Sequence, residues 1–196
     1  MHVRFLAVAA AVGVSAVAFA QSPNPRGTAS APLGGKTVTI EYGRPALKGR
    51  NLDQLLGELP ADRIWRAGEN QVTTFTTATD LIVGGKKVPA GKYTLYVYAP
   101  ATGDWALVLN NDPGQPLGQI WDKAPEELKN APWPHYRDYQ KSIADKELVR
   151  APMKPTPGGP PADLFTMTLK PTPDGATLNL AWGEKSWSLD LKAAKS

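Results

Sequence analysis

The chain has 196 residues, a formal net charge of +4 and 42% hydrophobic residues, which suits one folded domain plus a short targeting segment. It holds no cysteine, which excludes disulfides, thiol catalysis, iron–sulfur clusters and thiolate zinc sites. The charges are scattered, without a block of about five or six like residues, so neither a nucleic-acid patch nor a polybasic membrane tail is expected.

His2 and Arg4 form a basic head, Phe5 to Phe19 is apolar or small apart from Ser15, and Ala18-Phe19-Ala20 is a small-x-small cleavage site. This is the pattern of a secretory signal peptide over residues 1–20, cut after Ala20. The run is too short and Ala-rich for a membrane anchor. A periplasmic or secreted location with no membrane span after cleavage is therefore expected. Residues 21–35 form an N-terminal segment, and a single β domain is expected over 36–196.

Pro and Gly punctuate short runs rich in Thr, Val, Tyr, Leu and Trp, the signature of strands separated by turns. Lys36 to Tyr42 alternates, with Val38, Ile40 and Tyr42 on one face. Gln71 to Ala78 is β-branched. Asp80 to Val88 reads as a hairpin turning at Gly84-Gly85, because paired glycines accept the positive φ of a tight turn. Lys92 to Ala99 carries bulk on both faces and belongs in the middle of a sheet, with Trp105 to Asn110 following it. Residues 111–161 are a long Pro-rich excursion with brief helices over Pro125 to Asn130 and Tyr136 to Ala144, an edge strand at Glu147 to Arg150 and a spacer over Pro155 to Pro161. The chain ends in a meander, Leu164 to Lys170, Thr177 to Trp182 and Trp187 to Leu191, each strand with one apolar face. The expected fold is mainly β: an antiparallel β-sandwich or flattened barrel of about eight or nine strands with one long Pro-rich loop.

Several phrases occur in an order that resembles the bacterial family known as domain of unknown function 2911. They are Glu41-Tyr42-Gly43-Arg44-Pro45, Lys48-Gly49-Arg50, Trp65-Arg66-Ala67-Gly68-Glu69-Asn70, Gly84 to Tyr93, Leu109-Asn110 and Leu148-Val149-Arg150. The resemblance implies an exported bacterial β domain and assigns no activity. The family pattern has a Trp-Gly pair after the Leu-Asn phrase, where this chain has Leu117-Gly118 with Trp121 three residues on.

Arg44, Lys48, Arg50, Trp65, Arg66, Glu69 and Asn70 are the candidate ligand-binding residues, set in loops that a sandwich can gather at one end. Guanidinium groups offer a donor fork that matches carboxylate, phosphate or sulfate. The alternative is that Glu41, Glu69 and Asp53 consume the arginines internally. Trp121, Trp133, His135, Tyr136 and Tyr139 offer a possible aromatic platform for a sugar, or else rings that pin the excursion to the sheet. Asn110, Asn111 and Asp112 carry calcium-type oxygen ligands, but the same run is a plain turn. His135 is the one histidine left after cleavage, so no metal is expected. There is no nucleophile elbow and no phosphate-cradling loop, and no catalytic residue or cofactor is assigned. The reading is a non-enzymatic module for a small anionic or carbohydrate ligand. The alternatives are an envelope scaffold or protein-interaction domain, and a glycan hydrolase using Glu41 and Glu69.

Overall fold

The alternation in Lys36–Gly43 sorts the chain as the pattern requires. Val38, Ile40 and Tyr42 are buried, while Glu41 and Lys36 face solvent. The same period-two burial recurs in Arg26–Leu33, Ala162–Thr172, Gly175–Gly183 and Lys185–Ala193, and these buried faces join one main core. The structure, a computed structural model, describes residues 26–157 and 159–194. The expected signal peptide over 1–20 lies outside the described residues.

In the first half the strands are β1 (Arg26–Leu33), β2 (Lys36–Gly43), β3 (Ile64–Trp65), β4 (Thr74–Thr77), β5 (Leu81–Val83), β6 (Lys86–Val88), β7 (Gly91–Tyr98) and β8 (Ala106–Asn110). They are followed by β9 (Gln115–Pro116), β10 (Pro132–Trp133), β11 (Glu147–Pro152), β12 (Lys154–Pro155), β13 (Ala162–Thr172), β14 (Gly175–Gly183) and β15 (Lys185–Ala193). Short helices α1 (Leu52–Gly57), α2 (Leu117–Ile120) and α3 (Tyr139–Ser142) interrupt them. One large sheet runs β1-β2-β4-β7-β8-β11 with β3 beside β7, a second large sheet runs β13-β14-β15-β5-β6 with β12 beside β15, and β9 and β10 pair as a separate two-stranded ribbon. The two sheets stack as a sandwich and close no barrel. The strand count exceeds the expected eight or nine because the extra elements are mostly two or three residues long.

β1 is the strand that the sequence reading left outside the β domain. It pairs with β2 through the full run from Arg26 opposite Gly43 to Leu33 opposite Lys36. Its buried residues are two alanines and one leucine, Ala29, Ala31 and Leu33, too little bulk to announce a strand by hydrophobicity. The hairpin at Gly84-Gly85 forms with φ of 56° and 80°, the left-handed turn that glycine tolerates. β7 is central, between β4 and β8.

The excursion is anchored to the sheet around Tyr139 and Ile143. Tyr139 and Ile143 pack on the outer face of the first sheet against Ile64, Tyr96 and Val108, forming a second small core. Asn110 is fully buried and its amide donates to the Tyr139 hydroxyl (3.1 Å) and the Ile143 carbonyl (2.8 Å). This explains why both faces of β7 carry bulk: Leu95 and Val97 face the main core, Tyr96 the second one.

The sheets are also tied at one edge. The Tyr42 hydroxyl accepts the Met167 N–H (2.8 Å) and donates to the Met167 carbonyl (3.1 Å). Just beyond, Phe165 N–H donates to the Pro45 carbonyl and Leu47 N–H to the Asp163 carbonyl, both at 2.9 Å. These bonds fix the chain after β2 against the start of β13 and so fix one end of the sandwich.

Candidate functional site

That end carries a cavity of about 540 Å³, lined among others by Arg50, Trp65, Arg66, Glu69, Tyr136 and Arg137. Three segments build it. One wall is α1 and the turn after it. Asn51 caps α1, its side-chain oxygen accepting the N–H groups of Asp53 (2.8 Å) and Gln54 (3.3 Å). Leu52, Leu55, Leu56 and Leu59 follow at helical spacing. Leu52 and Leu56 turn into the core, while Leu55, Leu56 and Leu59 border the cavity.

The floor is aromatic. Trp65 stacks on Trp182 with centroids 5.1 Å apart and planes 12° apart, and Phe165 meets both edge-on at 4.7 and 5.9 Å. The Trp182 indole donates to the Asp163 carbonyl (3.2 Å). Trp65 and Trp182 are 8% and 6% exposed, so they give the floor shape without offering a free face for stacking.

The third element is the Arg66–Asn70 loop. Ala67 and Asn70 hold positive φ of 51° and 60°, and Ala67 is fully buried. A non-glycine residue in that region is disfavoured and persists only where its surroundings impose it. Here the Thr73 hydroxyl donates to the Ala67 carbonyl (2.9 Å), and Gly43 lets the Glu69 backbone approach closer than any side chain would allow. The loop presents Arg66 and Glu69 to the cavity.

Arg66 is half-buried, with its guanidinium 4.7 Å from the centroid of the Tyr136 ring. Among the described residues no hydrogen bond or ion pair engages it. Burial pulls its pKa below the ordinary arginine value, against the opposing pull of Tyr136 and the Glu69 carboxylate. Arg137 lies 5.5 Å from the same ring centroid, and its Nε donates to the Tyr136 hydroxyl (2.8 Å). Arg50 is exposed and folds back, donating to the carbonyls of Leu47 (2.9 Å) and Ala46 (2.8 Å).

Of the candidate residues, Arg50, Trp65, Arg66 and Glu69 meet at this cavity; Arg44, Lys48 and Asn70 do not line it. Arg44 turns to β13, donating to the Phe165 carbonyl (3.3 Å) and the Thr166 hydroxyl (3.0 Å). Lys48 is exposed in a turn with φ of 50°, held by its own N–H on Asp163 (2.9 Å). Backbone carbonyls and a hydroxyl, not the carboxylates of Glu41, Glu69 and Asp53, engage Arg44 and Arg50. Glu41 is exposed on β2, where the Thr74 hydroxyl donates to it at 3.4 Å, and it does not line the cavity. The carboxylate pair considered for hydrolysis is therefore not gathered in one pocket.

The aromatic platform does not assemble. Tyr139 is fully buried in the second core, Trp121 is 49% exposed, and of the five residues only Tyr136 reaches the cavity. Asn110, Asn111 and Asp112 form the plain turn: Asn110 Oδ1 accepts the Asp112 N–H (2.8 Å), and Asp112 binds Gly114 N–H (2.9 Å) and the Lys146 ammonium (2.7 Å). Among the described residues no three His, Cys, Asp or Glu side chains group to hold a metal. No helix among them is long and apolar enough to cross a membrane.

Arg137 and the α1 wall were missed. The wall was legible: Asn51 before leucines at i, i+3, i+4 and i+7 is a capped amphipathic helix. Arg137 carries no local signal, because the packing of Tyr139 and Ile143 brings it to the cavity.

The profile of the family described as "Protein of unknown function (DUF2911)" matches residues 24–191. No curated protein and no solved structure matches the chain. The chain belongs to the DUF2911 family.

Proposed function

We propose that this chain is an exported, non-enzymatic β-sandwich that binds a small anionic ligand, a sugar acid being the class that best suits the cavity. The observation carrying the reading is Arg66: a half-buried guanidinium on a cavity wall, without a hydrogen-bond partner among the described residues. A buried donor fork gains most from a carboxylate or phosphate that replaces the water it has lost. Arg50 and Arg137 add positive charge at the rim, and Glu58 and Glu69 supply acceptors for hydroxyl groups. The leucine wall and the indole floor give a ring somewhere to lie. Export rests on the leader pattern in residues 1–20.

The test is titration calorimetry with D-galacturonate, D-glucuronate, phosphate and sulfate, with galactose as the neutral control. Binding of an acid but not of galactose, lost in Arg66→Ala while that variant still unfolds cooperatively within about 4 °C of wild type, is the expected result. Absence of heat with every anion, or equal binding of galactose, overturns it. Secretion is checked separately by the N-terminal sequence of the protein recovered from its native host, expected to begin at Gln21. A protein-contact role is a second reading, supported by the adjacent exposed side chains Ile120 (47%) and Trp121 (49%). Loss of a cross-linked envelope partner in Trp121→Ala, with anion binding intact, would favour it.

A further inference from the structure

The cavity that holds Arg66 has an aliphatic side. Side chains four residues apart share one side of a helix, and the α1 segment carries two such leucine pairs. Leu52 and Leu56 are buried. Leu55 and Leu59 are only half-buried; they pack against the main core and line the cavity. Pro60, also half-buried, extends that wall. The same cavity is lined by Arg66 and Arg137, both set around the Tyr136 ring. One cavity therefore joins a hydrocarbon wall to a pair of guanidinium groups.

A plain hexuronate uses only part of this. Its hydroxyl rim would lose water against the leucines without gaining hydrogen-bond partners, which costs free energy. Its C–H face suits a flat aromatic surface, but Trp65 and Trp182 are 8% and 6% exposed and offer little of one. The cavity volume, about 540 Å³, is in the range that takes drug-sized ligands, more than one hexuronate ring requires. What half-exposed leucine gains from being covered is proportional to the apolar area removed from water on both partners, so the group that belongs on this wall is hydrocarbon.

Resting on the proposed anion-binding reading, we infer that the ligand is an acylated sugar acid, its carboxylate on Arg66 and a short aliphatic acyl group over Leu55, Leu59 and Pro60. An amide joining the acyl group to the ring needs one acceptor and one donor; the Glu58 carboxylate and the Tyr136 hydroxyl line the same cavity. A plain fatty acid fits less well, because its chain has nothing to offer Glu58, Glu69 or Arg137, which line the cavity too.

The experiment is calorimetry on the chain beginning at Gln21. The ligands are glucuronate, 2-acetamido-2-deoxyglucuronate, its N-butanoyl analogue and neutral N-acetylglucosamine. The N-acetyl acid should bind more tightly than glucuronate, and the N-butanoyl acid about tenfold more tightly than the N-acetyl acid, as two further buried CH2 groups require. Leu59→Ala, checked for cooperative unfolding, should shrink the ratio between acylated and plain acid. Acylated acids that bind no more tightly than glucuronate overturn this inference and leave the anion-binding reading standing. A gain for N-acetyl without a further gain for N-butanoyl means that the amide and not the hydrocarbon is recognised, and overturns it as well. No binding of any acid, or equal binding of N-acetylglucosamine and its acid, overturns the anion-binding reading and this inference with it.

Discussion

Replacing Gly43 by alanine should loosen the loop that carries Arg66. A Cβ on Gly43 would lie 2.2 Å from the Glu69 carbonyl oxygen, 2.8 Å from Glu69 N and 3.0 Å from Glu69 C. All three are backbone atoms, so no side chain can rotate to make room. Gly43 is itself held opposite Arg26 in the β1–β2 ladder, so the Arg66–Asn70 loop has to retreat by on the order of 1 Å to reach ordinary van der Waals contact. It does so against the Thr73–Ala67 bond and two positive-φ residues. Forcing extra atoms into a packed site costs about 1–3 kcal/mol, and a backbone-only clash belongs at the upper end. For a domain of this size each kcal/mol lowers Tm by about 2–4 °C, so Gly43→Ala should melt roughly 6–12 °C below wild type by circular dichroism. Gly57→Ala is the control: nothing lies within 4 Å of its Cβ and it ends α1, so its Tm should stay level or rise. If Gly43→Ala melts within a degree of wild type, the loop is not seated as described.

Tyr42→Phe should cost about 1–3 kcal/mol in urea unfolding, because it leaves the Met167 N–H and carbonyl unpaired between the sheets. Arg44→Ala should lose about 1–2 kcal/mol through its bonds to Phe165 and Thr166. Arg66→Ala should lose no more than about 1 kcal/mol, because it forfeits the Tyr136 ring contact and the attraction of the Glu69 carboxylate but no hydrogen bond among the described residues; the opposite ranking would mean that Arg66, not Arg44, is structural. For Asp112, burial pushes its pKa up, but the Lys146 bond, the Gly114 N–H and His135 outweigh this and hold it below the ordinary carboxylate value. A carboxyl depressed in the folded state stabilises above its unfolded value and loses that contribution as pH falls through the folded one. Stability should therefore drop below about pH 4, and Asp112→Asn should flatten that part of a pH series of urea unfolding curves.

Strands β2, β13, β14 and β15 were legible because each alternates apolar and polar residues over most of its length, and β7 and β8 because an unbroken bulky run of strand length suits burial on both faces. β1 was not, because its inward residues are mostly alanine and its pairing with β2 does the work that bulk does elsewhere. α1 carried a readable cap and leucine spacing that went unread. The excursion's Tyr139 and Ile143 look like ordinary loop residues until the outer face of β7 gives them something to cover.

The sequence by itself determined the chemistry available at this end of the molecule: arginines in Gly- and Pro-rich turns, indoles beside them, and family phrases in order. It could not determine which guanidinium stays open. Arg44 and Arg66 both follow a strand end, yet a carbonyl and a hydroxyl of β13 accept from the first, while among the described residues the second faces the Tyr136 ring, the Glu69 carboxylate and Arg137 without a hydrogen bond. That difference depends on the Tyr42 and Phe165 bonds that set one sheet against the other. A side chain's partners come from whichever segment packing brings within about 3 Å, and for these arginines that segment lies far along the chain.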